Sequence, residues 1–458
     1  MVKCGGNRVS GRTNRKQTQV VIVGAGFAGI TAALKLVEKG IEVVVLEARD
    51  RVGGRVFGVD NERGNPVDLG GQWIGPSMKR INRLIEREGL TKVNTYHKGK
   101  SAYYLNDKMR VGYGNLPPIS PLIWGDALRV ISKAAGKYRH LNVDAPWLSG
   151  QASTLDAESI GSFLDKNTRT PLGKVYWNAR VTEDLSVEPS EVSLLDVLWG
   201  LRTCGKLGNT IAANKMWIKE SAYSLIARLA RSLGERVVLQ SPVRSVQYSD
   251  RGVQVSTDKE TWEAARAIVA IPPHLAGNLA YSPPVPPHRR KLTQMLLPGA
   301  IVKCIVTYER PFWRDDGYSG SGYYERGPVS ATVDCSWPDR TEGILIALVS
   351  GKKAALFGQL TLAQRRQSVL AFLATVFGKK ARHALSYIDK DWIADEWTMG
   401  GYGAHFRPGG LSEYGAALRE PVGPIHWAGT ETATDHRLYM EGAIQSGERA
   451  ANEVLVYL

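Results

Sequence analysis

Val20-Val21-Ile22-Val23-Gly24-Ala25-Gly26-Phe27-Ala28-Gly29-Ile30 is the stretch that decides the fold of this chain. The four apolar residues before Gly24 predict a short strand buried on both faces, as in a parallel sheet. Ile30 to Lys39 is rich in Ala and Leu and predicts a helix, which Gly40 stops. Glu42 to Leu46 then predicts a second strand, ending at Glu47. Strand, glycine turn, helix and strand make a β-α-β unit with a dinucleotide fingerprint in its first turn. Gly24 permits the tight turn, Gly26 lets the backbone approach a pyrophosphate, and Gly29 lets helix and strand pack closely. Ala28 sits in the same turn, whose helix N-terminus offers unpaired N–H groups to phosphate. Glu47, 18 residues after Gly29, is placed to accept hydrogen bonds from a ribose hydroxyl.

The residues that follow narrow the ligand. Ala48-Arg49-Asp50-Arg51-Val52-Gly53-Gly54-Arg55 is a second glycine pair flanked by arginines. Its backbone can approach a second stretch of phosphate, and Arg49 and Arg55 can supply charge there. Taken alone, the segment reads more readily as a basic surface turn. Following the acidic ribose contact directly, it resembles the N-terminal signature of the flavin-containing amine oxidase family, whose cofactor is FAD. Asp68-Leu69-Gly70-Gly71-Gln72-Trp73 resembles that family's next flavin-lining stretch. Val237 to Val243, Val253 to Val255 and Ala267 to Ala270 read as strands, and the resemblance puts the backbone of Val243 beside the adenine. His426-Trp427-Ala428-Gly429-Thr430-Glu431 and Tyr439-Met440-Glu441-Gly442-Ala443 resemble its C-terminal cofactor sequences, implying flavin contacts for Gly429, Glu431, Tyr439, Met440 and Ala443. Trp392 matches a flavin-neighbouring tryptophan.

The order of these motifs implies an α/β fold, a Rossmann-like FAD-binding domain interleaved with a substrate domain of mixed sheet and helices, monoamine oxidase-like. The expected division is 1–18 as a basic flexible tail, 19–95, 222–300 and 396–458 for FAD, and 96–221 and 301–395 for substrate. Ala152 to Leu164 and Ser193 to Cys204 predict helices in the first insert.

Three residues are expected to carry the chemistry. Lys303 lies in the apolar strand Ala300 to Tyr308. A strand lysine ordinarily faces solvent, yet Ile301 and Ile305 flank this one on its own face. The family's flavin-facing lysine occupies this strand and holds a water near the flavin, which implies that role for Lys303 in reoxidation by O2. Tyr402 and Tyr439, read alone, are packing tyrosines. In monoamine oxidases two aromatic rings at these positions form a cage beside the flavin, an electron-rich slot for an amine nitrogen.

Departures from the family pattern matter too. Gly401 stands where mitochondrial members carry the cysteine that tethers FAD, so the cofactor is expected to be non-covalent. Arg437 and Leu438 replace an aromatic and a glycine before the second cage tyrosine, and Lys219-Glu220-Ser221 replaces a Gly-Gly step. With no carboxylate evident at the cage, the expected substrate is an apolar primary or cyclic amine, with O2 as acceptor and H2O2 as product. Competing readings are a biosynthetic oxidase of a larger metabolite, a flavin-binding scaffold, and, from the first turn alone, an NAD-dependent dehydrogenase.

Composition sets the outer limits. The 458 residues are 43% hydrophobic and 22% charged, which fits a globular chain of several domains' length. No apolar run approaches the ~18 residues of a membrane span. Lys plus Arg number 59 against 44 Asp plus Glu, a net +15. Lys3, Arg8, Arg12, Arg15 and Lys16 carry a third of that excess, without the apolar core of a secretory signal. The rest is scattered without aromatic–basic interleaving, so nucleic-acid binding is not expected. Cys4, Cys204, Cys304 and Cys335 lie far apart with no CxxC and no histidine at ligand spacing. Neither a disulfide framework nor a metal site is expected, and the pattern suits a reducing, cytoplasmic setting. The expected partners are an amine and O2, with a homodimer also compatible.

Overall fold

The computed structural model describes residues 14–113 and 121–458. Val20–Val23 is the central strand of a five-stranded sheet in which every pair is parallel. The order is Val237–Val238, Val43–Leu46, Val20–Val23, Arg266–Val269 and Ile425–Trp427. Alternation along the central strand sends Val20 and Ile22 into one core and Val21 and Val23 into the other. The first core is closed by the helices Phe27–Val37 and Met440–Leu455. The second is closed by a sheet containing Val243–Ser249 and Gly252–Thr257. Burying each such side chain contributes about 1.5–3 kcal/mol, so both faces of the strand are held.

Backbone packs directly on backbone at the glycine turn. A Cβ on Gly29 would lie 1.9 Å from the Gly24 carbonyl oxygen, and one on Gly447 would lie 2.2 Å from that of Ala28. The C-terminal helix therefore seats against the start of the first helix, more than 400 residues away in sequence.

A seven-stranded mixed sheet forms the other half. Its order is Ser386–Asp391, Ile301–Tyr308, Gly343–Ser350, Ala331–Asp334, Tyr318–Tyr324, Lys100–Leu105 and Lys108–Tyr113. All eight residues of Ile301–Tyr308 are buried. Val302, Cys304 and Val306 pack with the helix Leu362–Phe377, while Ile301 and Ile305 face Leu69, Trp217 and Trp392. Lys303 points to that second face, so the solvent-facing reading of a strand lysine does not hold.

Three expectations change. Residues 14–17 of the presumed tail form a strand paired in parallel with Glu260–Ala264, and Lys16 meets Glu260 at 2.6 Å. Acidic partners nearly 250 residues away could not be seen from the tail itself; residues 1–13 lie outside the described residues. Val237 to Val243 is not one strand. Val237–Val238 edges the parallel sheet, Gln240 turns the chain at φ 51°, and Val243–Ser249 joins the other sheet. Ala152 to Leu164 is two helices, Ala152–Asp156 and Ile160–Asn167, because the Ser159 side chain accepts from Ser162 N and caps the second.

Candidate active site

A cavity of about 1290 Å³ runs from the glycine turn to the seven-stranded sheet. Every residue expected to hold flavin or substrate lines it, except Gly29 and Glu431. Gly29 is used in packing, and Glu431 stands one layer behind, against Arg55.

The nucleotide end is shaped by backbone. No side chain caps the first helix at Gly26, so its leading N–H groups are left to the cavity. A Cβ on Gly26 would meet only Gly53 O, at 3.9 Å, and one on Gly54 only Gly26 Cα, at 3.7 Å. The two glycine turns lie against each other, Gly53 N donating to Ala25 O at 2.9 Å, and together form a side-chain-free cradle at the cavity wall. Glu47 is buried and accepts from Ala25 N at 2.8 Å and Arg49 N at 3.0 Å. These bonds fix its carboxylate at the end of the second strand, on the cavity wall. Residues of this kind fit a dinucleotide.

The two arginines differ from expectation, because each already has a carboxylate. Arg55 donates to Glu431 at 2.6 and 3.0 Å and to the Tyr402 carbonyl at 3.1 Å. Burial works to raise Glu431, but the Arg55 guanidinium outweighs it and holds the carboxyl at about 2. Arg49 pairs with Asp395 and lies 3.6 Å from Glu47. Both arginines therefore tie distant segments together, and the helix terminus remains as an uncommitted attraction for phosphate.

Lys303 sits where the two halves meet. Its ammonium donates to Gly70 O at 3.0 Å and to Gln72 Oε1 at 2.8 Å, and lies 4.9 Å from the centre of the Trp73 ring. One of its three donors remains for another acceptor. Burial lowers Lys303 to about 8 against the pull of Asp68, which burial raises to about 6. Asp68 also caps the helix Ala222–Arg231, accepting from Ala222 N at 2.9 Å. The Trp392 indole donates to Leu69 O at 2.9 Å and so braces the same loop.

Tyr402 and Tyr439 line one cavity from different segments. Arg80 clamps the segments on both sides of Tyr439 by bonds to Asp435, Glu441 and Glu448 at 2.6 to 3.2 Å. Leu438 holds a left-handed φ of 71° and packs over Gly403, whose Cβ would come within 2.5 Å of Leu438 Cδ2. Such a backbone costs a leucine about 1–2 kcal/mol. Leu438→Gly should keep the chain path, open the wall beside Tyr402 and raise kcat/KM for bulky arylalkylamines several-fold. An unchanged size preference in steady-state assays would contradict this placement.

Sequence reasoning missed two groups. Asp196 bridges Arg437 at 2.9 Å and His405 at 2.9 Å in a buried triad, with Arg437 stacked over Trp199 at 4.4 Å. Nothing local signals partners spread from 196 to 437. The second group corrects the expectation that no carboxylate reaches the cage. Tyr176, Arg180, Glu183 and Asp184 of the helix Pro171–Leu185 all line the cavity. Tyr176 lies four residues before Arg180, and Glu183 and Asp184 lie three and four after it, spacings that put them on one helix face and are present in the sequence.

The pattern of known proteins agrees with this geometry. Residues 27–455 match the family model for flavin containing amine oxidoreductases. A flavin-containing amine oxidase of Oncorhynchus mykiss is 35% identical over 97% of this chain and 87% of its own. The solved structure of wild-type putrescine oxidase bound to putrescine superposes with a TM-score of 0.91 at 30% identity, covering 96% of this chain and all of that one. Cyclohexylamine oxidase from Brevibacterium oxydans IH-35A gives a TM-score of 0.91 at 27% identity, covering 96% and 99%. The chain belongs to the flavin containing amine oxidoreductase family. It is an FAD-dependent oxidoreductase that acts on amines, built on the monoamine oxidase-like α/β fold. No helix among the described residues is long and apolar enough to cross a membrane.

Proposed function

We propose that this enzyme oxidises a primary amine carried on an apolar carbon framework, with O2 as acceptor and H2O2 as product. Bound FAD supplies the two-electron sink, taking hydrogen from the carbon beside nitrogen and returning the electrons to O2. The imine released is hydrolysed to a carbonyl compound. The observation that carries the reading is one cavity joining the glycine cradle to Lys303, Tyr402 and Tyr439.

Each of those residues has a task in this reading. Tyr402 and Tyr439 exclude water and orient the amine in its neutral form, whose lone pair needs no protein base. Lys303 holds a water or O2 by its remaining N–H and stabilises negative charge developing on oxygen. Gln72 and Gly70 fix that ammonium in place. The putrescine and cyclohexylamine of the solved neighbours are both primary amines on saturated carbon, which favours this class.

FAD is held without a covalent bond in this proposal. Position 401 is glycine, and burial pushes the cavity-lining thiol Cys204 up to about 11 and Cys335, behind Gln72, up to about 12, so neither offers a thiolate. Acid precipitation should release the flavin into the supernatant. A peroxide-coupled panel of arylalkyl, alkyl, cyclic and polyamines tests the activity itself. Turnover with FAD freed by acid is expected; bound FAD with no turnover of any amine, or flavin retained on the polypeptide, would contradict the respective part.

A further inference from the structure

We propose that Glu183 and Asp184, on the cavity face of the helix Pro171–Leu185, form a subsite for a second, positively charged group of the substrate. The preferred substrate is then a diamine, one nitrogen between Tyr402 and Tyr439 and the other at this helix. The proposal rests on the amine-oxidase reading above and names its substrate class.

With both carboxyls ionised, this end of the cavity would be one positive charge short. Two carboxyls face one guanidinium, and that guanidinium is committed. Arg180 Nε donates to Asp184 at 2.8 Å, and its charge lies over the Tyr323 ring at 4.5 Å. Glu183 is nine-tenths buried, and no cation lies within ion-pair distance of it among the described residues. Its hydrogen-bonding neighbour is the Asp184 carboxyl. Burial, and then Asp184, push Glu183 up to about 8, so this carboxyl holds a proton near neutral pH.

An independent feature points the same way from the opposite wall. Tyr103 and Tyr323 sit side by side on the strands Lys100–Leu105 and Tyr318–Tyr324, their rings stacked at 6.1 Å. Tyr103 is 1% exposed and lines the cavity, yet its hydroxyl has no partner among the described residues. Tyr176 and Arg180 are its charged or titratable neighbours across the gap. A phenol oxygen without a partner and a carboxyl without a cation, both lining one cavity, suit an ammonium, which carries three donors. An anion would meet two carboxyls there. A purely apolar tail would leave the Tyr103 hydroxyl desolvated and unpaired.

The subsite lies within reach of the reacting end. After burial, Glu183 and Asp184 are the leading influences raising the Tyr402 phenol, and both also act on Tyr439. When a dication binds, Glu183 releases its proton to solvent and its carboxylate forms an ion pair with the far ammonium. The near nitrogen sheds its own proton to solvent before oxidation.

Pentylamine and 1,5-diaminopentane, matched in chain length, test this on the FAD-loaded enzyme. The diamine should show kcat/KM roughly thirtyfold or more above the monoamine, the scale of one buried charge pair made or lost. Glu183→Gln keeps the shape and removes the charge, so the diamine-to-monoamine ratio should collapse toward one, mainly through the diamine's KM. Glu183→Asp should restore part of it. The wild-type ratio stands as a test by itself if Glu183→Gln fails to retain FAD. Equal or better oxidation of pentylamine by wild type, or a ratio that survives Glu183→Gln, overturns the proposal. Anaerobic flavin bleaching by benzylamine but by neither pentyl compound overturns the subsite and leaves amine oxidation standing. No bleaching by any amine overturns both.

Discussion

Arg55→Ala should lower stability by roughly 3–5 kcal/mol and leave the purified protein largely without FAD, because it strands the Glu431 carboxylate in the interior. Glu431 is fully buried, and its oxygens accept from Arg55 at 2.6 and 3.0 Å and from Ala404 N at 3.2 Å. Removing the guanidinium leaves only the backbone bond, while the desolvation penalty stays. Three segments also lose their common tie: the arginine-bearing turn, the Tyr402 carbonyl and the Gly429 loop. The pH dependence has a definite sign. Glu431 is held at about 2, below its unfolded value, so its contribution is complete above ~4.3 and fades as pH falls toward 2. In Arg55→Ala that protection is gone, and acid unfolding should begin at higher pH. Adding Glu431→Gln should recover part of the loss, since a neutral amide costs less to bury than an unpaired charge. Thermal melts and flavin-to-protein absorbance ratios read both effects. Wild-type values in Arg55→Ala would show that the pair holds nothing together.

Lys303→Met should slow reoxidation of the reduced enzyme by about a hundredfold or more, the usual loss when one preorganised charge donor is removed from a buried site. Reduction by amine should change far less. Methionine keeps the apolar stem between Ile301 and Ile305 and loses only the ammonium, which touches Gly70 O and Gln72 Oε1. The position of Lys303 at about 8 adds a second signature. Below that pH the side chain is charged, so reoxidation should be fastest there and fall as pH rises through about 8. Lys303→Met should show no such fall. For folding the sign is opposite: a lysine lowered to about 8 burdens the native state when charged, and that burden lifts between pH 8 and ~10.4. Stopped-flow traces of each half-reaction separate the effects. Equal loss in reduction and reoxidation would remove the assigned role.

What could be read from the chain depended on the range of the cause. The turn from Gly24 to Gly29, and its flanking strands, obey rules that act over a few residues, and they fold as read. The burial of Lys303 was legible because Ile301 and Ile305 share its face. The carboxyls of Glu183 and Asp184 were missed: their spacing from Tyr176 and Arg180 marks one helix face, but nothing marked that this face turns to the cavity. The pairing of Arg49 with Asp395 and of Arg55 with Glu431 was not legible, since both arginines read naturally as free charges for phosphate. The triad of Asp196, His405 and Arg437 joins segments separated by about 200 residues and leaves no local trace. Leu438 and Ser221 both hold left-handed backbone at φ 71° and 77°. Both fall at departures from the family's glycines, where the fold keeps the backbone and accepts the strain.

Electrostatics also changes the meaning of the net charge. A +15 protein does not draw cationic amines from a distance. Capture falls to the pocket, where carboxyls on one helix and two tyrosines supply the local attraction that the whole surface lacks.

The most direct test is to mix the purified, FAD-containing protein with a primary amine under argon and then admit oxygen. The expected result is full bleaching of the flavin absorption, followed by its recovery and one equivalent of H2O2 per cycle. A flavin that stays oxidised against every amine class, in protein with full cofactor content, would contradict amine oxidation by this chain.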